Sequence, residues 1–476
     1  MTKVILINPP KSRMYFTGYD NYFPLGLLSL ATVLKKDNID VKIIDIENDF
    51  YMKEISPEIL NSYIENELYC FLGDYKPDII GIGCLFSGAF NSLKLIARSI
   101  KAKCPTVPIV IGGIHPTTFP REILHKYMDI DYIILGEGEQ SFLKLVRYLS
   151  GNGTLVGIDG IAFRTNSIYL QPKTSFIADL DIIPQVDYSF LNLEEYYMDT
   201  SKWYSPNKIE IVQPFPITSS RSCPQRCSFC SMWLVHGPKF RARSSVNVIN
   251  EISYLYNTYG ANYFQFMDDN MTFDKKRIIE ICDGIVRRNF KIQFDTPNGL
   301  AISRLDKEVI NAMISAGWIS TAIAIESGSE YIRNKVMKKG LSSEKIYEII
   351  NELVKYNHLF IKGFFIAGMP EDTNETLQET YNMVVKLPFD KISMNFPAPY
   401  PGTELFNYCM EHDLINCKLE DYVDVEVSQD SDTYPHFKPH NLTCKELVDF
   451  RQKCFKFMEN KRALSKVPCN YPLRYK

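Results

Sequence analysis

The sequence predicts an α/β protein in which a flavodoxin-like (Rossmann-type) domain precedes a partial or full (β/α) barrel and a C-terminal tail. Two patterns and a length carry this expectation. Short apolar runs alternate with helical stretches in residues 1–150 and again from about residue 209, and 476 residues are too many for one ordinary domain. The front runs are Val4 to Pro10, Val41 to Glu47, Ile79 to Leu85, Ile109 to His115 and Tyr132 to Glu139. Between them lie stretches such as LGLLSLATVLKK, whose Leu27, Leu30, Ala31 and Leu34 share one helical face. Continuous apolar strands separated by helices build a parallel sheet covered on both sides. Such a doubly wound sheet holds its ligand at the carboxyl ends of the strands. Those ends lead into Asn8-Pro9-Pro10, Phe86-Ser87-Gly88, Gly112 to Thr117 and Gly136 to Glu139. Their Gly, Pro and Ser let backbone approach a bulky ligand.

Residues 151–208 are expected to form a connector, with a hairpin around GIAFRTNSIYL. Strand–helix alternation resumes over 209–405, with candidate strands IEIVQ, PITSS, YFQFMDD, IQFDTPN, STAIAIES, FIKGFFIAG and KISMNFP. Repeated βα units place a barrel's site at the C-terminal strand ends. Residues 406–476 are rich in aromatics, Pro and Asp and receive no fold. No apolar run approaches the ~18 residues of a membrane span. The start MTKVILINPP lacks the pattern of a secretory signal, so a cytoplasmic location is expected. A net charge of -3 offers no basic footprint, and no nucleic-acid partner is expected. Twelve cysteines without a secretory signal point to reduced thiols and metal ligands.

The sharpest signal is SRSCPQRCSFC, which sets Cys223, Cys227 and Cys230 on one loop. Thiolates are the natural ligands of iron–sulfur centres, and three of them leave one iron of a [4Fe-4S] cluster open. An open iron can chelate the amino and carboxylate groups of S-adenosylmethionine (SAM) and pass an electron into its sulfonium. Methionine and a 5′-deoxyadenosyl radical would result. Phe229, between the last two cysteines, would shield the cluster and approach the adenine. Two plainer readings stand beside this one: structural thiols, or a zinc site with His236 as fourth ligand.

Beyond the triad, the chain resembles the radical SAM superfamily at five further places in order. Lys239 to Ser244 is similar to the Arg-x-Arg-Ser run of its cobalamin-linked and methylthiotransferase-like branch. Asp268, Asp269 and Asn270 follow a barrel strand where relatives hold the SAM amino group. Ile325 to Ser329 resembles the strand-end motif whose Glu and Ser, here Glu326 and Ser327, contact the ribose and methionyl part. Gly363 to Thr373 resembles the segment beside the adenine, and PAPYPGTEL is common in the branch. Carboxylates suit an ammonium and ribose hydroxyls, and an arginine such as Arg241 suits the methionyl carboxylate. Each has a structural alternative: helix capping for Asp268 and Asp269, a salt bridge for Glu326, surface charge for Arg241 and Arg243.

The front region resembles the cobalamin-binding domain of the same enzymes at NPP, PLGLLSLA, DIIGIG, GGIHPT and GEGE, so the likeness covers about residues 3–405. It implies cobalamin contacts at Pro9, Ser87, Gly113, His115, Gly136 and Glu137. The Asp-x-His-x-x-Gly motif that supplies a cobalt ligand elsewhere is absent. His115 is left to touch the corrin edge or to pack its loop, and the cobalt's lower face is expected to lack a histidine. Cys70, Cys84 and Cys104 are read as buried thiols and not as a second cluster. The resemblance implies a cobalamin-dependent radical SAM methyltransferase acting on an unactivated carbon of a small molecule or peptide. It would use two SAM per turnover and an external one-electron reductant such as flavodoxin or ferredoxin. A cobalamin-linked cyclase, ring-contraction or oxidation enzyme shares the motifs. A tRNA methylthiotransferase and a non-catalytic cobalamin- and cluster-binding module are further alternatives.

Overall fold

A computed structural model describes residues 1–11, 23–50, 56–196, 200, 203–211, 213–415, 417–425, 435–465, 467 and 470–474. Its first sheet comprises β1 (Lys3–Asn8), β2 (Asp40–Asp45), β3 (Ile79–Gly83), β4 (Ile109–Gly112), β5 (Tyr132–Ile134), β6 (Ile161–Arg164) and β7 (Ile168–Gln171). The order is β2-β1-β3-β4-β5-β6-β7, and the first five strands run parallel. This order reverses direction between β1 and β3, where a doubly wound sheet opens its ligand crevice. The helix Leu25–Lys36 buries Leu27, Leu28, Ala31 and Leu34, with Leu30 only partly covered.

The hairpin expected inside the 151–208 connector is β6–β7, and it extends the front sheet antiparallel to β5. A strand as short as β5 would otherwise show a bare edge. Ile161 and Ala162 are fully buried in covering it.

The second sheet begins with β8 (Pro214–Ile217). A short antiparallel ribbon follows, β9 (Ser220–Arg221) with β10 (Arg241–Ala242), and it brackets the three-cysteine loop. The remaining strands are β11 (Tyr263–Phe266), β12 (Gln293–Leu300), β13 (Trp318–Glu326), β14 (Phe360–Ile366) and β15 (Lys391–Asn395). Parallel pairing in the order β15-β14-β13-β12-β11-β8 leaves β8 and β15 unpaired with each other, so the barrel is partial. Its helices start where the sequence offers side-chain acceptors. Ser244, Asp274, Asp306, Ser342 and Thr373 each accept the backbone N–H three residues on.

The expected strand IEIVQ does not form: residues 209–211 run irregularly, and Val212 lies outside the described residues. Ile211 instead packs with Tyr204 against Tyr263 and Ile319, joined by Trp203, Phe360 and Tyr471. Tyr263, Ile319 and Phe360 stand at or beside the first residues of their strands, so this cluster floors the barrel. The tail, which had no assigned fold, supplies the helix Cys444–Ser465 against β15. Cys409 and Cys454 are buried in apolar clusters, while Cys469 lies outside the described residues.

Gly113 follows β4 with φ +118°, and a Cβ there would lie 2.3 Å from the carbonyl oxygen of Cys84. Gly151 also has positive φ (+81°) but meets nothing within 4 Å. Gly113→Ala should therefore cost about 1–3 kcal/mol more than Gly151→Ala, through the added clash. Comparison of their urea unfolding midpoints measures this; equal midpoints would contradict it.

Candidate active site

The carboxyl ends of both sheets face one cavity of about 2030 Å³. Ordinary small-molecule pockets span roughly 300–1,000 Å³, so there is room for more than one large ligand. Pro9, Ser87, Gly113, Gly136 and Glu137 of the front domain line it together with Cys223, Cys227, Phe229, Cys230, Asp269 and Glu326 of the barrel.

The cysteine loop is held from several sides. The Ser222 N–H donates to Asp269 Oδ2 (2.9 Å), and the Ser222 hydroxyl donates to the Gly237 carbonyl (2.5 Å). Ser228 donates through its N–H to the Met337 carbonyl and through its hydroxyl to that of Val336 (3.1 and 2.8 Å). Gln225 reaches the carbonyl of Lys339 at 2.7 Å. Burial pushes the Cys227 thiol up to about 12 and that of Cys230 to about 11, although Lys339 pulls both down. Such thiols ionise at neutral pH only beside further positive charge, which a bound metal centre provides. Asn270 Nδ2 donates to Cys223 Sγ at 3.3 Å, the kind of hydrogen bond that tunes a cluster ligand. The donor set therefore fits an iron–sulfur cluster. The zinc alternative asked His236 for a fourth ligand, but its Nδ1 faces Glu137 Oε1 at 3.3 Å. Among the described residues no three His, Cys, Asp or Glu side chains converge as single-ion ligands do.

The residues expected around SAM divide into two groups. Phe229, Asp269 and Glu326 line the cavity. Glu326 has φ +72°, rare for a residue with a side chain, and its carboxylate meets Lys339 Nζ at 2.8 Å. Asp268, Ser327 and Arg241 stand off the wall. Asp268 accepts the Ser219 N–H (3.1 Å), the Ser219 hydroxyl (2.7 Å) and the Ser220 hydroxyl, so it clamps the turn between β8 and β9. Ser327 is buried against Thr380 and the Ser329 N–H. Arg241 is bidentate to Glu137 (2.6 and 3.0 Å) and also donates to the carbonyls of Ile177 and His236.

In the front domain His115 also departs from a ligand-facing place. It is 1% exposed, lies between Phe90 and Phe119, and has Nδ1 at 3.0 Å from Ser87 Oγ. Burial holds its pKa down at about 3, so the ring is neutral. Ser87 and Gly113 remain on the wall with Gly81 and Gly83 beside them. A Cβ at Gly81 would press on Leu6 and Phe142 and one at Gly83 on Leu27, so these two glycines serve close packing behind the wall. The size of the cavity suits a ligand as broad as a corrin. Of the three front cysteines read as buried, only Cys84 is; Cys70 is exposed and Cys104 half-buried.

Sequence reasoning missed the charges that join the domains. Arg221 Nη2 donates to Glu139 Oε1 at 2.5 Å, and Arg221 Nη1 lies 3.4 Å from Glu137 Oε1. With Arg241 they form a buried seam of two carboxylates and two guanidiniums. Burial would raise Glu137, but His236, Arg241 and Arg221 outweigh it and hold the carboxyl at about 2 against an ordinary 4.5. That depression is worth about 3 kcal/mol of stability above pH 4.5, lost as pH falls towards 2. Lys339 and Arg221 carried no recognised pattern beyond nearness in sequence to a motif, while Asn270, read with Asp268 and Asp269 as part of a SAM-binding motif, donates to Cys223. Arg221→Ala should cost about 3–5 kcal/mol, because Glu139 stays buried with only the Ser29 hydroxyl and no counter-ion. Glu137→Gln should flatten the loss of stability between pH 4.5 and 3; urea titrations of the metal-free protein test both, and an unchanged pH slope would contradict the assignment.

The B12 binding domain family matches residues 17–146, and the Radical SAM superfamily matches residues 217–384. A Pyrococcus horikoshii protein described as an uncharacterized methyltransferase is 30% identical over 421 residues, covering 87% of this chain and 84% of that one. The cytidylyl-2-hydroxyethylphosphonate methyltransferase of Streptomyces wedmorensis is 27% identical over 453 residues, covering 87% and 83%. The anaerobic magnesium-protoporphyrin IX monomethyl ester cyclase of Cereibacter sphaeroides is 27% identical over 422 residues, covering 86% and 64%. Among solved structures, the radical SAM methyltransferase TsrM of Kitasatospora setae, with cobalamin and a [4Fe-4S] cluster bound, superposes with a TM-score of 0.70. It covers 87% of this chain and 78% of its own at 18% identity, a likeness of fold. With both domain families matched in the expected order and a relative at 30% identity along most of its length, this chain belongs to the B12-binding-domain radical SAM enzymes.

Proposed function

We propose that this enzyme methylates an unactivated carbon of a small molecule or peptide, consuming two SAM per product. The observation that carries the reading is the single cavity walled by the cysteine loop on one side and by the front-domain loops on the other. Bound there, the cluster with SAM supplies a carbon-centred radical, and cobalamin supplies a transferable methyl group. Cys223, Cys227 and Cys230 hold the cluster, and Phe229, Asp269 and Glu326 contact SAM. Lys339 offsets the Glu326 charge, so a hydroxyl or ammonium can be accepted without leaving a bare carboxylate. Pro9, Ser87, Gly113 and Gly136 would hold the corrin. Glu137 acts by holding Arg241 and His236 in place. His115, packed between Phe90 and Phe119, would not serve as a cobalamin ligand. An external one-electron donor, such as flavodoxin or ferredoxin, completes the turnover.

The likeness to the magnesium-protoporphyrin cyclase favours one second reading, a radical reaction without methyl transfer. The two separate without knowledge of the substrate. Under a strong one-electron reductant, the loaded protein should form S-adenosylhomocysteine from SAM only when cobalamin is present. It should form 5′-deoxyadenosine only when Cys223, Cys227 and Cys230 are intact. Deoxyadenosine without any cobalamin-dependent S-adenosylhomocysteine would reject methyl transfer and favour the cyclase-like reading.

A further inference from the structure

Below the strand ends, the barrel contains polar groups that neither the cluster loop nor the front domain uses. Gln265 on β11 and Asp295 on β12 are register neighbours, and both line the cavity. The Tyr263 hydroxyl donates to Asp295 Oδ2 at 2.9 Å, and Gln265 Nε2 approaches the same oxygen at 3.4 Å. Asp295 Oδ1 and Gln265 Oε1 are both buried and have no hydrogen-bond partner. Burial raises the Asp295 carboxyl to about 7, against hydrogen bonds from Tyr263 and Gln265, and among the described residues no cation offsets it. Lys362 and Arg451 line the same cavity, but their charged heads lie over Phe364 and over Phe396 and Phe455.

A buried carboxyl with no counter-ion costs stability unless a ligand completes it. With Asp295 ionised both orphan atoms are acceptors, and a ligand that completes them is a donor with at least two N–H or O–H groups. An ammonium group has three donors and the compensating charge. The floor just below adds aromatic faces: Trp203 meets Tyr263 edge-on with centroids 5.5 Å apart, and both line the cavity with Phe360. Rings of this kind attract a cation further.

We infer that the barrel floor, centred on Asp295 and Gln265 with Tyr263 beside them, binds an ammonium group of the substrate, which makes that substrate a primary amine. The inference rests on the proposed function, because it places the substrate between this floor and the radical source above. The amine anchors the far end of the molecule and leaves the carbon to be changed nearer the strand ends.

The test uses the full chain loaded with cluster and cobalamin, with excess SAM and no reductant, so that the SAM site is filled. Phenethylamine and its neutral counterpart 2-phenylethanol are titrated by calorimetry. The amine should bind at least tenfold more tightly than the alcohol, and Asp295→Asn should reduce that preference below twofold. Equal binding of the two by the unaltered protein, binding of neither, displacement of the amine by SAM, or a preference that survives Asp295→Asn would each overturn the inference. The comparison on unaltered protein stands whether or not the variant folds. Reductive cleavage of SAM in the absence of any amine tests the functional reading by itself. A protein that cleaves SAM but shows no amine preference would therefore lose only the substrate class.

Discussion

Two carboxylates and two guanidiniums, buried where the two sheets meet, fix how this molecule is put together. Glu137 and Glu139 follow β5 of the front sheet, while Arg221 and Arg241 belong to the ribbon that brackets the cysteine loop. Each charge has been taken out of water, and each is tolerable only while its partner stays within hydrogen-bond reach. Domains joined by such a seam cannot rotate far without exposing an unpaired buried charge. A plain apolar interface would allow sliding, whereas bidentate pairing of Arg241 with Glu137 sets one orientation.

Much of the site's geometry is downstream of that orientation. The ribbon that supplies the arginines also begins and ends the loop carrying Cys223, Cys227 and Cys230, so the charges that join the domains also place the cysteines. Asp268 tightens the same region from below by gathering the Ser219 and Ser220 hydroxyls, and Asp269 steadies the Ser222 N–H. Adjacent carboxylates thus divide the work, one bracing the turn and one facing the cavity. Lys339 lies opposite, where it offsets Glu326 and favours ionisation of two cysteines.

The features legible in the sequence were those written in periodicity and in compact motifs. All five parallel strands of the front sheet and six barrel strands stood out as short apolar runs between helical stretches, most plainly β1, β3 and β8, which are buried along nearly their whole length. IEIVQ carried the same signal and is no strand, since an apolar run can equally plug a barrel floor. Which residues share the cavity was far less visible. Asp268 and Asp269 are neighbours in one motif, and only the fold decides which of them turns outward. Arg241 and Glu137 were read as contacts of two separate ligands, yet each is the other's partner across about a hundred residues. Long-range pairing of this kind leaves no local pattern. The same holds for Asp295, an ordinary strand residue until the partial barrel closes around it.

The cavity shared by the two domains would bring the cluster and the cobalamin together. Electron paramagnetic resonance of the fully loaded protein tests it most directly, with cobalt held as cob(II)alamin and the cluster poised first oxidised and then reduced. Two paramagnets in a shared cavity couple magnetically. Reduction of the cluster should therefore broaden the cob(II)alamin signal and speed its relaxation. A cob(II)alamin spectrum unchanged by cluster reduction, with the two signals simply adding, would contradict the account.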